Sequence, residues 1–306
     1  MEEFTFDLAK FIPYRDKKVC EKVTAIKRED ICKHPNPQFE IRVIESSDEF
    51  YFEFALDIVS RIRKTLEEGK KLVLILPAGP IPQYRIAARL INELGVSCKH
   101  VHTFNMDEYA NENGETAPES WAGSFKKSMQ ENFFSLIDKD LRLPQDQVHF
   151  PSHKNINHYA KMIEDAGEID VCYGGIGWCG HIAFWEAHLG AEFGEDIEAY
   201  KKANPRIVEL HPMTIMQNAL HSFSGDWSSV PPKAATIGPC QILGARMRSF
   251  WLDGYLGGGV SWQRFIARLV AYGPVNTLVP GSILQTVPTT YTLLGGVADN
   301  CEIKIK

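Results

Sequence analysis

The chain of 306 residues carries 33 Lys and Arg against 39 Asp and Glu, which gives a formal net charge of −6. Hydrophobic residues make up 44% and charged residues 24%, values that are ordinary for globular proteins and argue against disorder. The mild negative charge, without a long block of like charges, gives no support for a nucleic-acid or membrane-surface partner. The longest apolar run, 72–76, is far shorter than the roughly 20 residues that span a bilayer.

The amino terminus and the cysteines indicate the cellular compartment. The first residues, MEEFTFDLAKF, are acidic and lack the basic and apolar regions of a secretory signal. The seven cysteines form an odd, scattered set without a Cys-x-x-Cys pair, which fits reduced thiols better than a disulfide framework. These features predict a cytoplasmic protein, and the chain is long enough for an enzyme with a sizeable core.

Residues 1–38 differ in pattern from the rest of the chain. They are mixed in character and interrupted by Pro13 and by a Pro-Asn-Pro segment that ends at Pro37. We predict that they form an N-terminal extension that wraps around the body of the protein. A single α/β domain is expected over residues 39–306.

From residue 39 onwards, segments typical of strands and of helices alternate. The expected strands are 39–44, 71–76, 99–105, 169–173, 234–238, 249–252 and 291–294. The first expected helix is capped by residues 46–49, ends at Gly69 and has one apolar face formed by Phe50, Phe54, Ile58, Ile62 and Leu66. Further helices are expected over 82–94, 119–136, 155–167 and 260–272. The alternation predicts a doubly wound, mostly parallel α/β sheet with helices on both faces.

Three of the predicted strands run directly into loops of unusual composition. These loops cover residues 77–82, 105–109 and 174–181. In open α/β sheets, ligands bind outside the carboxyl ends of the strands. We therefore expect the three loops to lie together at one edge of the sheet and to form the functional site.

The segment GGIGWCGHIAFWE, residues 174–186, is the most informative of the three. Gly175 and Gly177 would allow the backbone to approach a ligand closely. A carboxylate such as Glu186 can orient an imidazole such as His181 and raise its pKa, as a general acid or base requires. The alternative is a glycine-rich turn between a strand and a helix, in which His181 is only a capping residue.

Two adjacent acids follow the strand that ends near Asn105. If Asp107 or Glu108 projects into the cleft, it could act as a base that moves a carbon-bound proton. The alternative is a pair of solvated loop carboxylates. The sequence alone leaves both interpretations open.

The loop 77–82 occupies the place where phosphate cradles usually lie, between a strand and a helix N-terminus. A cradle depends on backbone N–H donors, and in this loop only Ala78, Gly79 and Ile81 can supply them, because the other residues are prolines. No metal-binding histidine motif and no nucleotide-binding fingerprint occurs. We therefore predict neither a metal nor a cofactor.

Together, these segments resemble the glucosamine-6-phosphate deaminase (isomerase) family, which is related in fold to the 6-phosphogluconolactonases. The resemblance covers roughly residues 40–298. It rests on KHVHTFNMDEY (99–109), on Pro118-Glu-Ser followed by a helix ending near 132–134, and on GHIAF with Glu186 (180–186). The lactonase branch typically has His-Thr-Ala rather than His-Ile-Ala, so the deaminase branch is favoured.

The resemblance implies a metal-free reaction on a small-molecule sugar substrate. His181 would assist ring opening by moving a proton between the anomeric hydroxyl and the ring oxygen, and Glu186 would orient the imidazole. Asp107 would carry a proton between C2 and C1, which turns the aldose into a ketose imine. Water would then release ammonia. Relatives of this kind occur as homo-oligomers and as monomers, so the oligomeric state stays open.

Several positions depart from the family pattern. Cys179 stands where the family has an acid, and Trp185 stands where it has Asn. Cys179 is either a nucleophile or thiol acid/base beside His181, or a small residue that fills the space of the lost carboxylate. Trp185, and with it Trp178, is a candidate for stacking against a sugar.

The phosphate-binding positions depart as well. Ala78-Gly79-Pro80-Ile81 replaces Thr-Gly-Gly-Thr, His221 aligns with the phosphate-binding arginine, and Gln263 aligns with the lysine. Arg85 and Arg264 lie close enough in sequence to substitute for the missing cations. Charge-assisted hydrogen bonds contribute about 1.5–3 kcal/mol each, so we expect altered phosphate recognition.

The leading prediction is an aldose–ketose isomerase and deaminase that acts on an amino sugar or an amino sugar phosphate, and four functions remain to be distinguished. The chain could deaminate glucosamine 6-phosphate, or perform the same reaction on another sugar. It could also hydrolyse a sugar lactone, or bind a sugar without turnover.

Overall fold

The computed structural model describes residues 4–303, in which strands and helices alternate as expected. The strands are β1 (Phe39–Ile44), β2 (Leu72–Leu76), β3 (Val101–Asn105), β4 (Asp107–Ala110), β5 (Val148–His149), β6 (Val171–Gly174), β7 (Arg206–Glu209), β8 (Lys233–Thr236), β9 (Met247–Leu252), β10 (Tyr255–Gly257), β11 (Val260–Ser261) and β12 (Thr289–Leu294). The α-helices are α1 (Lys17–Thr24), α2 (Ser47–Glu67), α3 (Ile81–Leu94), α4 (Phe125–Asn132), α5 (Ile156–Ala166), α6 (Ile197–Lys201), α7 (Pro212–Ser222), α8 (Pro239–Leu243), α9 (Arg264–Tyr272) and α10 (Gly295–Ala298). Short 3₁₀ helices cover Arg28–Asp30, Phe134–Leu136, Gln145–Gln147, Ala187–Glu192, Trp227–Ser229 and Pro280–Thr286.

The central sheet has seven strands in the order β1-β12-β9-β6-β2-β3-β5. Every neighbouring pair in it is parallel. All five residues of β2 are buried, because the strand lies in the interior of the sheet between β6 and β3. The predicted mostly parallel α/β fold is confirmed.

A second, antiparallel sheet was not expected from the sequence. It has the order β4-β8-β7, and Asp107 at the start of β4 pairs with Thr236 at the end of β8. The prediction of a loop over 105–109 was therefore wrong. The partner strand is more than a hundred residues away in sequence, so no local pattern reveals this pairing. A separate hydrophobic cluster, which includes Tyr109, Trp185 and Tyr200, packs around this sheet.

The ends of the helices follow local sequence signals. The hydroxyl of Ser46 accepts a hydrogen bond from the backbone N–H of Glu49 and caps α2, and Gly95 ends α3 in a left-handed conformation with φ of 62°. Leu66 was expected on the buried face of α2 but is 40% exposed, because the last turn of the helix extends beyond the core.

Two predicted helices are shorter than expected. The helix expected over 119–136 is α4 alone followed by a 3₁₀ turn, and 118–124 forms turns. The helix expected over 260–272 begins only at Arg264, because β10 and β11 form a hairpin immediately before it.

Residues 4–38 pack against several parts of the chain that follows. Helix α1 of this segment contacts α9, and Arg268 of α9 donates a hydrogen bond to the backbone carbonyl of Ile26. Tyr14 is buried against the main core. At the other end of the segment, the backbone carbonyl of Phe11 accepts a hydrogen bond from His211, the cap residue of α7. Within residues 4–303, no helix has the length and apolar character needed to cross a membrane.

Candidate active site

The three loops identified from the sequence lie at the same edge of the central sheet. They follow β2, β3 and β6, which are adjacent and parallel, so their carboxyl ends point the same way. The backbone N–H of Met106 donates to the carbonyl of Leu76, which joins the second loop to the first. The predicted placement of the three loops at one edge of the sheet is therefore confirmed.

The glycines of the third loop make room for His181. A Cβ atom added to Gly177 would lie 1.9 Å from Nε2 of His181, so no other residue fits at this position while the ring stays in place. Gly180 adopts φ of 86°, a left-handed conformation that glycine tolerates best. A Cβ on Gly175 would meet only the carbonyl oxygen of Trp251, at 3.4 Å.

Three side chains, those of Cys179, Thr214 and Glu186, surround Nδ1 of His181 and form a cluster of four residues with it. Cys179 Sγ lies 3.3 Å from this nitrogen and 3.1 Å from Oε2 of Glu186. The hydroxyl of Thr214 lies 3.0 Å from the same nitrogen and donates to Glu186 Oε2 at 2.9 Å. His181 Nδ1 and Glu186 Oε2 are 3.5 Å apart. All four residues are buried, and Glu186 has no exposed surface.

The electrostatics of this cluster favour a protonated imidazole. Burial by itself lowers the pKa of His181, but the Glu186 carboxylate and Cys179 outweigh it, and the pKa lies well above the usual value. Burial would raise the pKa of Glu186, but the imidazolium outweighs that effect and lowers it. Burial and the neighbouring Glu186 raise the pKa of the Cys179 thiol. A thiol that stays protonated is a poor nucleophile, so Cys179 fits a hydrogen-bonding role better than a nucleophilic one.

Thr214 is a member of the cluster that sequence reasoning missed. It lies on α7, which is anchored beside the glycine loop by a hydrogen bond of 2.7 Å from the backbone N–H of Trp178 to Gln217. His211 caps the same helix by accepting from the backbone N–H of Met213. No sequence motif marks Thr214, because it stands 33 residues from His181 and reaches it only through the packing of α7.

Asp107 is nearly buried at the start of β4, with 8% of its surface exposed. Burial, with a smaller contribution from Glu108, raises the pKa of its carboxyl to about 7, and His181 acts in the opposite direction. A carboxyl of this kind changes charge near neutral pH, which suits a group that accepts and returns a proton.

Glu108 is neither the base in the cleft nor the solvated loop carboxylate that the sequence left open. Its carboxylate accepts hydrogen bonds from the hydroxyl of Ser124 and from the backbone N–H groups of Tyr109, Phe125 and Lys126, at 2.9–3.0 Å. Burial raises the pKa of this carboxyl, and the same hydrogen bonds oppose the rise. Because all four bonds are internal, Glu108 anchors the N-terminus of α4 and does not present a free carboxylate to a ligand.

Known proteins are similar in sequence to this chain over most of its length. A glucosamine-6-phosphate deaminase of Caenorhabditis elegans is 33% identical over 213 residues, which cover 67% of this chain and 72% of the relative. Glucosamine-6-phosphate deaminase 2 of Giardia intestinalis is 32% identical over 242 residues, covering 76% and 82%. The chain belongs to the glucosamine-6-phosphate deaminase family.

Solved structures agree with this assignment at the level of fold. A monomeric glucosamine-6-phosphate deaminase superposes with a TM-score of 0.70 at 23% identity, covering 84% of this chain and 98% of that one. A 6-phosphogluconolactonase of Thermotoga maritima superposes with a TM-score of 0.58 at 17% identity, covering 83% and 98%. A comparison with models of known protein families finds no match.

In this member of the deaminase family, the loop after β2 offers few donors. The N–H of Ile81 donates to the carbonyl of Gly79 at 2.8 Å, and Pro80 has φ of −74° and ψ of 62°. These angles describe an inverse γ-turn. Ile81 is therefore occupied within the loop, and of the three predicted donors only Ala78 and Gly79 retain N–H groups for a ligand.

The side chains proposed as substitutes for phosphate-binding cations are engaged elsewhere. Arg85 donates twice to Asn132 on α4. Arg264 donates to the carbonyls of Gly259 and Gly296 and pairs with Asp299. Both guanidinium groups therefore form hydrogen bonds within the protein.

Gln263 joins two loops through its carboxamide. Its carboxamide oxygen accepts from the backbone N–H of Gly254 at 2.8 Å, and its nitrogen donates to the carbonyl of Ile176 at 2.5 Å. The residue is 3% exposed. It positions the end of β9 beside the loop that carries His181.

The tryptophans divide between the core and the surface. Trp185 is 1% exposed, and the guanidinium of Arg206 covers its ring at 4.6 Å, so neither face is open to a sugar. Trp178 is 37% exposed, and its ring centroid lies 6.3 Å from that of Trp262. The ring of His221 meets the Trp262 ring edge-on, with centroids 5.4 Å apart. The stacking surface suggested by the sequence is therefore available at Trp178 and not at Trp185.

Asp253 is a second residue that sequence reasoning missed. It follows directly on β9, at the same edge of the sheet as the three loops. Asp253 is exposed, although nearby protein raises the pKa of its carboxyl. Gln263 joins the neighbouring Gly254 to Ile176, so this carboxyl lies near the glycine loop.

Proposed function

We propose that this member of the deaminase family converts an amino sugar from aldose to ketose and releases its nitrogen as ammonia, with water as the second substrate. The observation that carries the proposal is the pairing of two groups. Asp107 has a carboxyl pKa of about 7, and it interacts electrostatically with a buried His181 imidazolium. An isomerase of this type requires one base near the reacting carbons and one proton donor near the ring oxygen.

His181 would open the sugar ring. Its Nδ1 faces Glu186 and Thr214, while Nε2 makes no hydrogen bond within residues 4–303 and is the atom available to a substrate. The imidazolium donates its Nε2 proton to the ring oxygen, and the neutral imidazole that results then accepts the proton that the anomeric hydroxyl loses. Glu186 holds the ring in position and stabilises its positive charge.

Asp107 would then move a proton from C2 to C1. As a carboxylate it removes the C2 proton and forms an enolamine, and as a carboxylic acid it returns a proton to C1. The product is a ketose imine, which water hydrolyses to the ketose and ammonia. A pKa of about 7 suits both halves of this cycle, because the acid and the carboxylate are then of similar energy.

We further propose that the substrate lacks the phosphate group of the relatives' substrate. In the cradle position, one of three available N–H donors is consumed internally, and the neighbouring arginines are bound within the protein. The Asp253 carboxyl at the same edge of the sheet would repel a dianion but accept hydrogen bonds from sugar hydroxyls. Trp178 offers an exposed aromatic face for the ring.

All seven cysteines are free thiols. This supports the reducing cytoplasm as the compartment that we propose for the protein.

The test is ammonia release from glucosamine and from glucosamine 6-phosphate, measured side by side with the purified full-length protein. We expect turnover of the unphosphorylated sugar, and its loss in Asp107→Asn but not in the matched surface variant Asp140→Asn. Turnover of the phosphorylated sugar alone would contradict the substrate assignment. Absence of ammonia from both sugars, with stabilisation on binding, would contradict the reaction itself.

A further inference from the structure

The cluster around His181 has the shape of a metal site. Four donor atoms, namely Cys179 Sγ, His181 Nδ1, Glu186 Oε2 and Thr214 Oγ1, face one another across a small volume. Their six mutual distances run from 2.9 to 3.8 Å. Each atom therefore lies close to the other three, as the corners of a tetrahedron do.

The size of this tetrahedron matches zinc. Zinc binds thiolate sulfur at about 2.3 Å and imidazole nitrogen or carboxylate oxygen at about 2.0–2.2 Å, with tetrahedral angles. These bond lengths place neighbouring ligand atoms roughly 3.3–3.6 Å apart. The three distances among Cys179, His181 and Glu186 are 3.3, 3.1 and 3.5 Å, so shifts of a few tenths of an ångström would complete the geometry.

The chemistry of the donors also selects zinc. A thiolate and an imidazole prefer zinc to magnesium or calcium. A thiolate and a carboxylate would neutralise the two positive charges, so the filled site would carry no net charge into this buried place. Three protein ligands with a fourth position near Thr214 are a common arrangement for zinc.

A second observation concerns Glu186. Its other oxygen, Oε1, is buried and has no hydrogen-bond partner within residues 4–303, although the residue has no exposed surface. A buried carboxylate oxygen without a partner is costly, and a cation beside the same carboxylate would offset that cost.

We propose that Cys179, His181 and Glu186 form a zinc site, with the Thr214 hydroxyl at the fourth corner, and that zinc reversibly inhibits the protein. The thiol and Nδ1 each lose a proton to solvent when they bind the metal. Cys179 and His181 retain 5% and 6% exposure, which gives an ion a point of entry. Cys179 is essential to the site, because it supplies the soft ligand.

The inhibition rests on the proposed function, whereas zinc binding does not. When Nδ1 binds zinc, His181 can no longer become the imidazolium that Glu186 stabilises. His181 then holds its Nε2 proton more tightly as a neutral ligand than as an imidazolium, and ring opening stops. Zinc and turnover therefore compete for the same histidine.

Cobalt(II) is the probe that tests the site directly, because it replaces zinc and absorbs light. We expect one equivalent to give the thiolate-to-cobalt charge-transfer band and the intense visible bands of a tetrahedral ion, both removed by added zinc. The control Cys240→Ala, which removes an exposed thiol, keeps these bands. Cys179→Ala and the closer isostere Cys179→Ser lose the charge-transfer band, with folding checked by thermal unfolding.

Two outcomes would overturn the zinc site. One is a weak, octahedral cobalt spectrum in the wild-type protein, and the other is an unchanged charge-transfer band in folded Cys179→Ser. If the spectra are as expected but no sugar releases ammonia, the zinc site stands and the proposed function fails. If ammonia is released and zinc binds without slowing it, the inhibition is wrong while the site remains.

Discussion

Because Asp107 is buried, we expect its protonation to affect the free energy of unfolding as well as the activity. The carboxyl is 8% exposed, and its pKa rises from 3.8 to about 7, chiefly through desolvation. A folded state that binds a proton more tightly than the unfolded chain loses stability as the pH rises between the two pKa values. Asp107 therefore stabilises the fold least at the pH at which it is most useful as a base.

The size of this effect follows from the shift. A shift of about three pKa units corresponds to about 4 kcal/mol, fully lost once the pH exceeds the folded-state value. Asp107→Asn is a neutral isostere and removes the titration. Relative to the wild type, its free energy of unfolding should rise by roughly 2–3 kcal/mol between pH 5 and pH 8.

Denaturant unfolding at pH 5 and pH 8 measures this difference. Comparing the two pH values cancels any constant cost of replacing the carboxyl by an amide. The control is Asp140→Asn, an exposed aspartate for which we expect no comparable change. A difference between Asp107→Asn and wild type that is the same at both pH values would refute the raised pKa. In the wild type, kcat/KM should rise with pH through about 7, as the base deprotonates.

Three further substitutions test the site. Gly177→Ala should reduce turnover about 100-fold by displacing the His181 ring, and equal activity of this variant and the wild type would contradict the prediction. In the control Gly79→Ala, the new methyl group meets no atom within 4 Å, so the free energy of unfolding should be unchanged. Thr214→Val removes a hydrogen bond to a charged group, which should lower kcat roughly 10- to 100-fold at similar KM, and a change confined to KM would argue against a positioning role. Glu108→Ala leaves the donors at the start of α4 unpaired and should destabilise the fold by about 3 kcal/mol in urea unfolding. A loss of turnover without destabilisation would instead indicate that Glu108 contacts the substrate.

Local physical chemistry explains why many elements could be predicted. A fully apolar strand such as β2 belongs in the interior of a parallel sheet, and Ser46 and Gly95 mark helix ends through interactions within a few residues. The common edge of the three loops follows from parallel strands alone. Asp107, His181 and Glu186 could be proposed because the motifs that carry them, 105–109 and 174–186, begin at the ends of such strands.

The roles of other residues depend on partners that no local pattern reveals. Glu108 was read as a free acid, but it anchors α4 because Ser124 and two neighbouring N–H groups reach it. Gln263 was aligned with a phosphate ligand, but its carboxamide joins two loops. Trp185 was a candidate for sugar stacking, but Arg206 covers its ring.

The sequence by itself determined the α/β class, most strands of the central sheet and the edge that carries the candidate site, because hydrophobic periodicity and glycine geometry act over short distances. Only the tertiary structure decided which polar groups are free. Thr214 joins the His181 cluster through α7, and Arg264 is bound by distant carbonyls. A polar side chain uses whichever partner packing brings within about 3 Å, and packing joins segments that are far apart in the chain.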